Sequence, residues 1–102
     1  MGFFQNLFGN GSAELRQLLS QGAVILDVRT PEEYKSGHIA GSRNIPLDTL
    51  PARISEIRQI KKPLVTVCQS GMRSSTARSF LESQGIPATN GGSWSSVNRM
   101  LN

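Results

Sequence analysis

The sequence predicts an α/β domain in which a mostly parallel central sheet is covered by helices on both faces. Two observations carry that expectation and a third bounds it. Ala23-Val24-Ile25-Leu26-Asp27-Val28 and Leu64-Val65-Thr66-Val67 are near-continuous apolar runs of strand length, the pattern of strands buried on both sides. Amphipathic segments with helical spacing and recognisable start and stop residues alternate with them. The chain of 102 residues is long enough for one core and too short for two.

The elements follow in order. Residues 1–11 read as an N-terminal arm in which Phe3, Phe4, Leu7 and Phe8 share a face before Gly9-Asn10-Gly11 breaks the pattern. The arm is expected to dock on the domain, residues 12–102, because exposed aromatics are unfavourable unless covered. Ser12 is placed to cap a helix carrying Leu15, Leu18 and Leu19, with Gly22 as its stop. After the first strand, Thr30-Pro31-Glu32-Glu33 is a strong helix start: threonine caps, proline takes the first helical position and Glu33 closes a capping box. Gly37 keeps that helix short. Ser42-Arg43-Asn44-Ile45 reads as a short strand, and Leu50, Ile54 and Ile57 recur at helical spacing around Pro51, which a first turn tolerates. Ala77, Phe80 and Leu81 form the inward face of a helix stopped by Gly85. Ile86-Pro87-Ala88-Thr89 is at best an edge strand, because proline removes a ladder donor. Trp94, Val97 and Leu101 mark a closing helix from Ser93 onward.

Eleven Lys and Arg against seven Asp and Glu leave a net charge of +4. The basic residues are scattered without a dense run or interleaved aromatics, so nucleic acid is not an expected partner and a small anion accounts for the sign equally well. No stretch is long and apolar enough for a membrane span, and the start of the chain lacks the charged and apolar regions of a secretory signal. A single cysteine makes no internal disulfide, and the cytoplasm is the default location.

That cysteine, Cys68, ends the second apolar run and precedes Gln69-Ser70-Gly71-Met72-Arg73-Ser74 and a helix start. Successive N–H groups of a tight loop can turn inward as an anion nest, and a helix N-terminus adds partial positive charge. Gly71 supplies the positive φ that such a curl needs, and Ser74 or Ser75 is placed to cap the helix. With Arg73 near, a thiol in this position falls from about 8.5 into the range of roughly 3.5 to 7.5. A free cysteine is otherwise an inert small hydrophobe of the core; the glycine, the arginine and the strand-to-helix junction favour a nucleophile.

These residues resemble those of the rhodanese (sulfurtransferase) family. Leu26-Asp27-Val28-Arg29 with Glu32-Glu33-Tyr34, then Gly37-His38-Ile39-Ala40-Gly41-Ser42 with Asn44-Ile45-Pro46, is similar to the two signatures of its first half. Cys68-Gln69-Ser70-Gly71-Met72-Arg73-Ser74 is similar to its active-site loop, and the likeness runs from about Leu15 to Leu101. It implies a single rhodanese-like domain whose Cys68 takes sulfur from a small anionic donor such as thiosulfate as a persulfide and passes it to cyanide, a thiol or a protein. The loop residues Gln69, Ser70, Gly71, Met72, Arg73 and Ser74 would bind substrate, with Arg73 on the donor's sulfonate, and no metal or organic cofactor is needed.

Two alternatives stand beside this one. Cysteine phosphatases of related fold resemble Cys-x5-Arg, whereas Cys68 and Arg73 enclose four residues, a smaller ring better matched to one sulfur than to a tetrahedral oxyanion. A binding module that keeps the fold without turnover is the other. Asp27 and Arg29 lie at the same kind of strand end as Cys68 and are supporting candidates, with mutual hydrogen bonding that fixes loops as the favoured role. His38 is read as loop-ordering, Glu32, Glu33 and Tyr34 as helix-start and packing residues, and Trp94 as core. Trp94 follows Gly92 sooner than the family's tryptophan usually does, which leaves the register of the last twenty residues open.

Overall fold

A computed structural model describes residues 11–102, so the expected packing of Phe3, Phe4, Leu7 and Phe8 lies outside the described residues. Strands β1 (Val24–Asp27), β2 (Arg43–Asn44), β3 (Leu64–Cys68) and β4 (Thr89–Ser93) are all parallel and pair in the order β2-β1-β3-β4. Around them lie α1 (Gly11–Ser20), α2 (Pro31–Ser36), α3 (Ile54–Arg58), α4 (Met72–Ser83) and α5 (Trp94–Leu101). Two 3-10 turns, Leu47–Thr49 and Pro51–Arg53, lead into α3 and place Pro51 at a first turn. None of these helices is long and apolar enough to cross a membrane.

Side chains alternate across a strand, and here the alternation feeds two cores. Leu26, Leu64 and Cys68 face Ile57 of α3 and Ala77 and Leu81 of α4. Ile25, Val65 and Val67 face Leu15 of α1 and Val97 of α5. Every residue of β3 is therefore buried, which is why the run carries no polar face. The capping box at α2 forms as its sequence predicts, with Thr30 Oγ1 accepting from the Glu33 N–H at 3.3 Å and Glu33 Oε1 accepting from the Thr30 N–H at 3.0 Å.

Three local expectations change. Ser12 lies inside the first turn of α1 rather than at its cap, since the helix begins at Gly11. The last strand is Thr89–Ser93, sharing only Thr89 with the expected segment, while Ile86 and Ala88 enter the core as coil. Its glycines disguise it, having no side chain to signal a strand. Space requires Gly91, where a Cβ would sit 2.8 Å from Val65 Cγ1 and 3.2 Å from the Thr66 carbonyl oxygen, and a φ of 87° favours glycine at Gly92. β4 bulges there, pairing Asn90 with Thr66 and Gly92 with Val67. In α5 the inward residue of the last turn is Met100, and Leu101 is 47% exposed.

Candidate active site

Cys68 ends β3 at the carboxyl edge of the sheet, where open α/β sheets bind ligands. Gly71 follows at φ 102°, in the left-handed region, and α4 starts directly after it at Met72. Ser74 and Ser75 are thus helical residues, and no side chain of the ordinary capping kind serves this helix. The sulfur takes that place. Sγ accepts from the Gly71 N–H at 3.0 Å and from the Ser74 N–H at 3.3 Å, two amides that a helix leaves without internal partners. Cys68 is the N-cap of α4 in function, and the positive end of the helix dipole lies on the sulfur.

Opposed effects set its acidity. Burial pushes the thiol up, while its hydrogen bond with the Ser74 side chain and the donating amides of Ser74, Gly71 and Ser70 pull it net below its ordinary value. The two amides bonded to Sγ are those of Gly71 and Ser74; the amides of Gln69, Met72 and Arg73 make no bond to it. The residue is 1% exposed and belongs to the α4-side core, while Gln69 and Ser70 beside it are exposed. Met72 points outward, 77% exposed.

Arg73 does not stand free over the sulfur. Its guanidinium donates bidentately to Glu33, Nη1 to Oε1 at 2.8 Å and Nη2 to Oε2 at 3.0 Å, tying α4 to α2. Arg73 together with the Thr30 N–H lowers the Glu33 carboxyl to about 2. Glu33, read from sequence as a helix-start residue, is therefore also the counter-ion of the loop arginine. Its partner is 40 positions away, a separation that no local pattern signals.

Asp27 and Arg29 form a buried pair that frames the opposite wall. Arg29 Nη2 donates to Asp27 Oδ2 at 2.7 Å and to the Gly37 carbonyl at 2.7 Å, and Nη1 donates to the Glu33 carbonyl at 3.2 Å. They fix the β1–α2 and α2–β2 connections, and Asn44 Nδ2 adds bonds to the Asp27 and Arg29 carbonyls at 2.9 and 3.0 Å. Trp94 packs on the α1–α5 core and also lies under the Arg29 guanidinium, 4.7 Å from Cζ to the ring centre. His38 stacks on Tyr34 at 3.8 Å and its Nδ1 lies 2.8 Å from the Tyr34 carbonyl oxygen, with the Tyr34 hydroxyl donating to the Ser42 carbonyl at 2.7 Å.

Arg29, Glu33, Gly37, Gln69 and Trp94 line a cleft of about 270 Å³ beside the loop. A larger one, about 450 Å³ between Ile57, Lys61, Leu64 and Pro87, opens at the amino end of β3, away from Cys68. On the remaining side, β4 contributes Asn90, which the sequence did not single out. Its side chain contacts Ser74, Gly71 and Gly92.

A parallel α/β sheet with a cysteine capping a helix at its carboxyl edge defines an α/β domain with a cysteine loop at its ligand-binding edge. The sequence model of the Rhodanese-like domain matches residues 12–96, and the chain belongs to that family. It is 46% identical over 63 residues to the uncharacterized protein YqhL of Bacillus subtilis, covering 62% of this chain and 49% of that protein. It is 39% identical over 65 residues to the thiosulfate sulfurtransferase GlpE of Stutzerimonas stutzeri, covering 64% of this chain and 59% of that protein. The matches thus span about half the length of the first relative and under two thirds of the second. Among solved structures, the rhodanese-like domain protein of Staphylococcus aureus superposes with a TM-score of 0.67 at 34% identity, over 79% of this chain and 82% of that one.

Proposed function

We propose that this chain is a sulfurtransferase in which Cys68 carries sulfane sulfur from a donor such as thiosulfate to a nucleophilic acceptor. The observation that carries this reading is the pair of amides, from Gly71 and Ser74, aimed at Sγ from a helix N-terminus. In the first step the thiolate attacks the outer sulfur of thiosulfate. A bond forms between Sγ and that sulfur, and the donor's S–S bond breaks with its electron pair leaving on sulfite. In the second, cyanide, a thiolate or a protein nucleophile attacks the outer sulfur, and the pair of the breaking bond returns to Sγ. Splitting the transfer into two displacements is covalent catalysis, and the amides that hold the thiolate stabilise it as leaving group.

The loop from Gln69 to Ser74 walls the outer sulfur in this reading. Arg73 uses one N–H on each terminal nitrogen for Glu33, which leaves its remaining N–H groups to orient the donor's oxygens while Glu33 offsets its charge. Intact-protein mass after incubation with thiosulfate tests the proposal. A gain of one sulfur atom, absent in Cys68→Ser, is expected, and no gain with any sulfane donor rejects it. The 1% exposure of Cys68 favours a second reading, a binding module without turnover; an alkylation profile matching that of an ordinary free thiol would support it.

A further inference from the structure

The carboxamide of Asn90 is oriented by two backbone groups of fixed polarity. The Gly92 N–H, which only donates, lies 3.0 Å from Oδ1, and the Gly71 carbonyl, which only accepts, lies 3.3 Å from Nδ2. A flipped amide would set donor against donor and acceptor against acceptor. The oxygen therefore faces Ser74 Oγ, at 2.7 Å. That oxygen has no proton to give, so the hydroxyl donates to it. Ser74 is fully buried and has one hydroxyl proton. With the proton committed to Asn90, Ser74 turns only lone pairs toward Cys68 Sγ, 3.4 Å away. Lone pairs suit a thiol, whose S–H donates to them, and repel a thiolate.

We propose that Asn90 is a positioning residue for Cys68: by holding the Ser74 hydroxyl proton it favours the thiol, and ionisation of the sulfur turns that proton from Asn90 Oδ1 to Sγ. The inference rests on the reading of Cys68 as an ionisable nucleophile. On ionisation the S–H bond breaks and its proton leaves to water, while the hydroxyl rotates about its C–O bond. The hydrogen bond to Oδ1 is exchanged for one to the sulfur anion, and Oδ1 keeps the Gly92 amide. Nothing is oxidised or reduced, and the carboxamide is no base, so Ser74 passes no proton onward. Once Sγ is the neutral inner atom of a persulfide it ceases to draw the proton, and the hydroxyl returns to Asn90. The rotor follows the charge on sulfur through the cycle.

The charged groups around the loop are Arg73 on α4, Glu33 on α2 and the Asp27–Arg29 pair at the end of β1, each cation matched to a carboxylate. β4 and the first turn of α5 bring none. Asn90 has a second effect of opposite sign, since its Nδ2 braces the Gly71 carbonyl and with it the N–H that reaches Sγ.

The pH profile of Cys68 alkylation by iodoacetamide, in the full chain, separates the two, and no other cysteine interferes. Ser74→Ala removes the hydroxyl donor and raises the apparent pKa by about one unit, the scale of one hydrogen bond to a charged group. Asn90→Ala frees the hydroxyl and lowers the pKa by about one unit. In the Ser74→Ala background the same change brings no lowering, a coupling that only a shared proton produces. If Asn90→Ala leaves the pKa unchanged or raises it with Ser74 present, the proposal is overturned. Where Asn90→Ala does not fold, infrared spectroscopy of the unaltered chain at acid pH carries the test. An S–H stretching band shifted by donation, and moved to the free-thiol position in Ser74→Ala, supports the proposal; a free-thiol band in the unaltered chain overturns it. Neither measurement uses a sulfur donor. A chain that shows these shifts but takes no sulfur keeps this inference and loses the sulfurtransferase reading, and one that takes sulfur without them does the reverse.

Discussion

Asp27→Ala probes what holds the wall of the site in place. Asp27 and Arg29 are 0% and 2% exposed. The carboxylate accepts from Arg29 Nε at 2.9 and 3.1 Å, from Nη2 at 2.7 Å and from the Arg29 backbone N–H at 3.1 Å. Removing it strands a guanidinium in the interior with the Glu33 and Gly37 carbonyls as acceptors and no counter-charge. Breaking a buried pair from one side costs about 3–5 kcal/mol, against about 5–15 kcal/mol for the whole stability of a typical domain. Glu33→Gln serves as the comparison. It removes the charge from the other pair, whose side chains are 36% and 34% exposed, and glutamine preserves the capping box. Solvent screening limits that loss to about 1 kcal/mol or less. Urea unfolding followed by tryptophan fluorescence measures both, and Trp94, the single tryptophan, reports from beside Arg29. Asp27→Ala is expected to lose about three times as much as Glu33→Gln or more. Equal losses, or a loss under about 1 kcal/mol for Asp27→Ala, would refute the argument that burial decides which pair matters.

Further outcomes follow from the same geometry. The Glu33 carboxyl lies at about 2 in the folded chain against an ordinary 4.5; a folded value below the unfolded one contributes stability that is full above the unfolded pKa and is lost as pH falls toward the folded one. Between those two values the unaltered chain should lose more stability than Glu33→Gln, as read from urea midpoints at the two ends of the window, and parallel losses reject the assignment. Gly71→Ala places a side chain at φ 102°, costing about 1–2 kcal/mol. It should also turn the 71 N–H off Sγ, so alkylation of Cys68 needs a higher pH; an unchanged profile means that this amide does not hold the sulfur. Gly91→Ala drives Cβ to 2.8 Å from Val65 Cγ1, an overpacking of about 1–3 kcal/mol. A thermal midpoint within error of the unaltered chain would show that β4 yields freely at its bulge.

What was legible in the sequence is what short-range chemistry dictates. The apolar runs of β1 and β3, the Thr30–Glu33 capping box, the positive φ of Gly71 and a cysteine at a strand-to-helix junction all follow from neighbours a few residues apart, because burial on two faces, capping and backbone sterics each act over one turn or one strand. The edge strand expected at Ile86–Thr89 lies further on, at Thr89–Ser93, because Asn90-Gly91-Gly92 has no strand propensity and its place depends on Val65 and Val67 pressing from the next strand. Ser74 was expected as a cap and proved to be a buried helical residue, because the sulfur of Cys68 had taken the cap position. The bond of Arg73 to Glu33 and of Ser74 to Asn90 join residues 40 and 16 positions apart. Local pattern alone places a cysteine at a strand-to-helix junction with a glycine three residues on. Which carboxylate answers the loop arginine and which carboxamide accepts the serine proton is settled by the packing of α2, α4 and β4 around one sheet edge, because these partners lie too far apart along the chain for any local pattern to pair them.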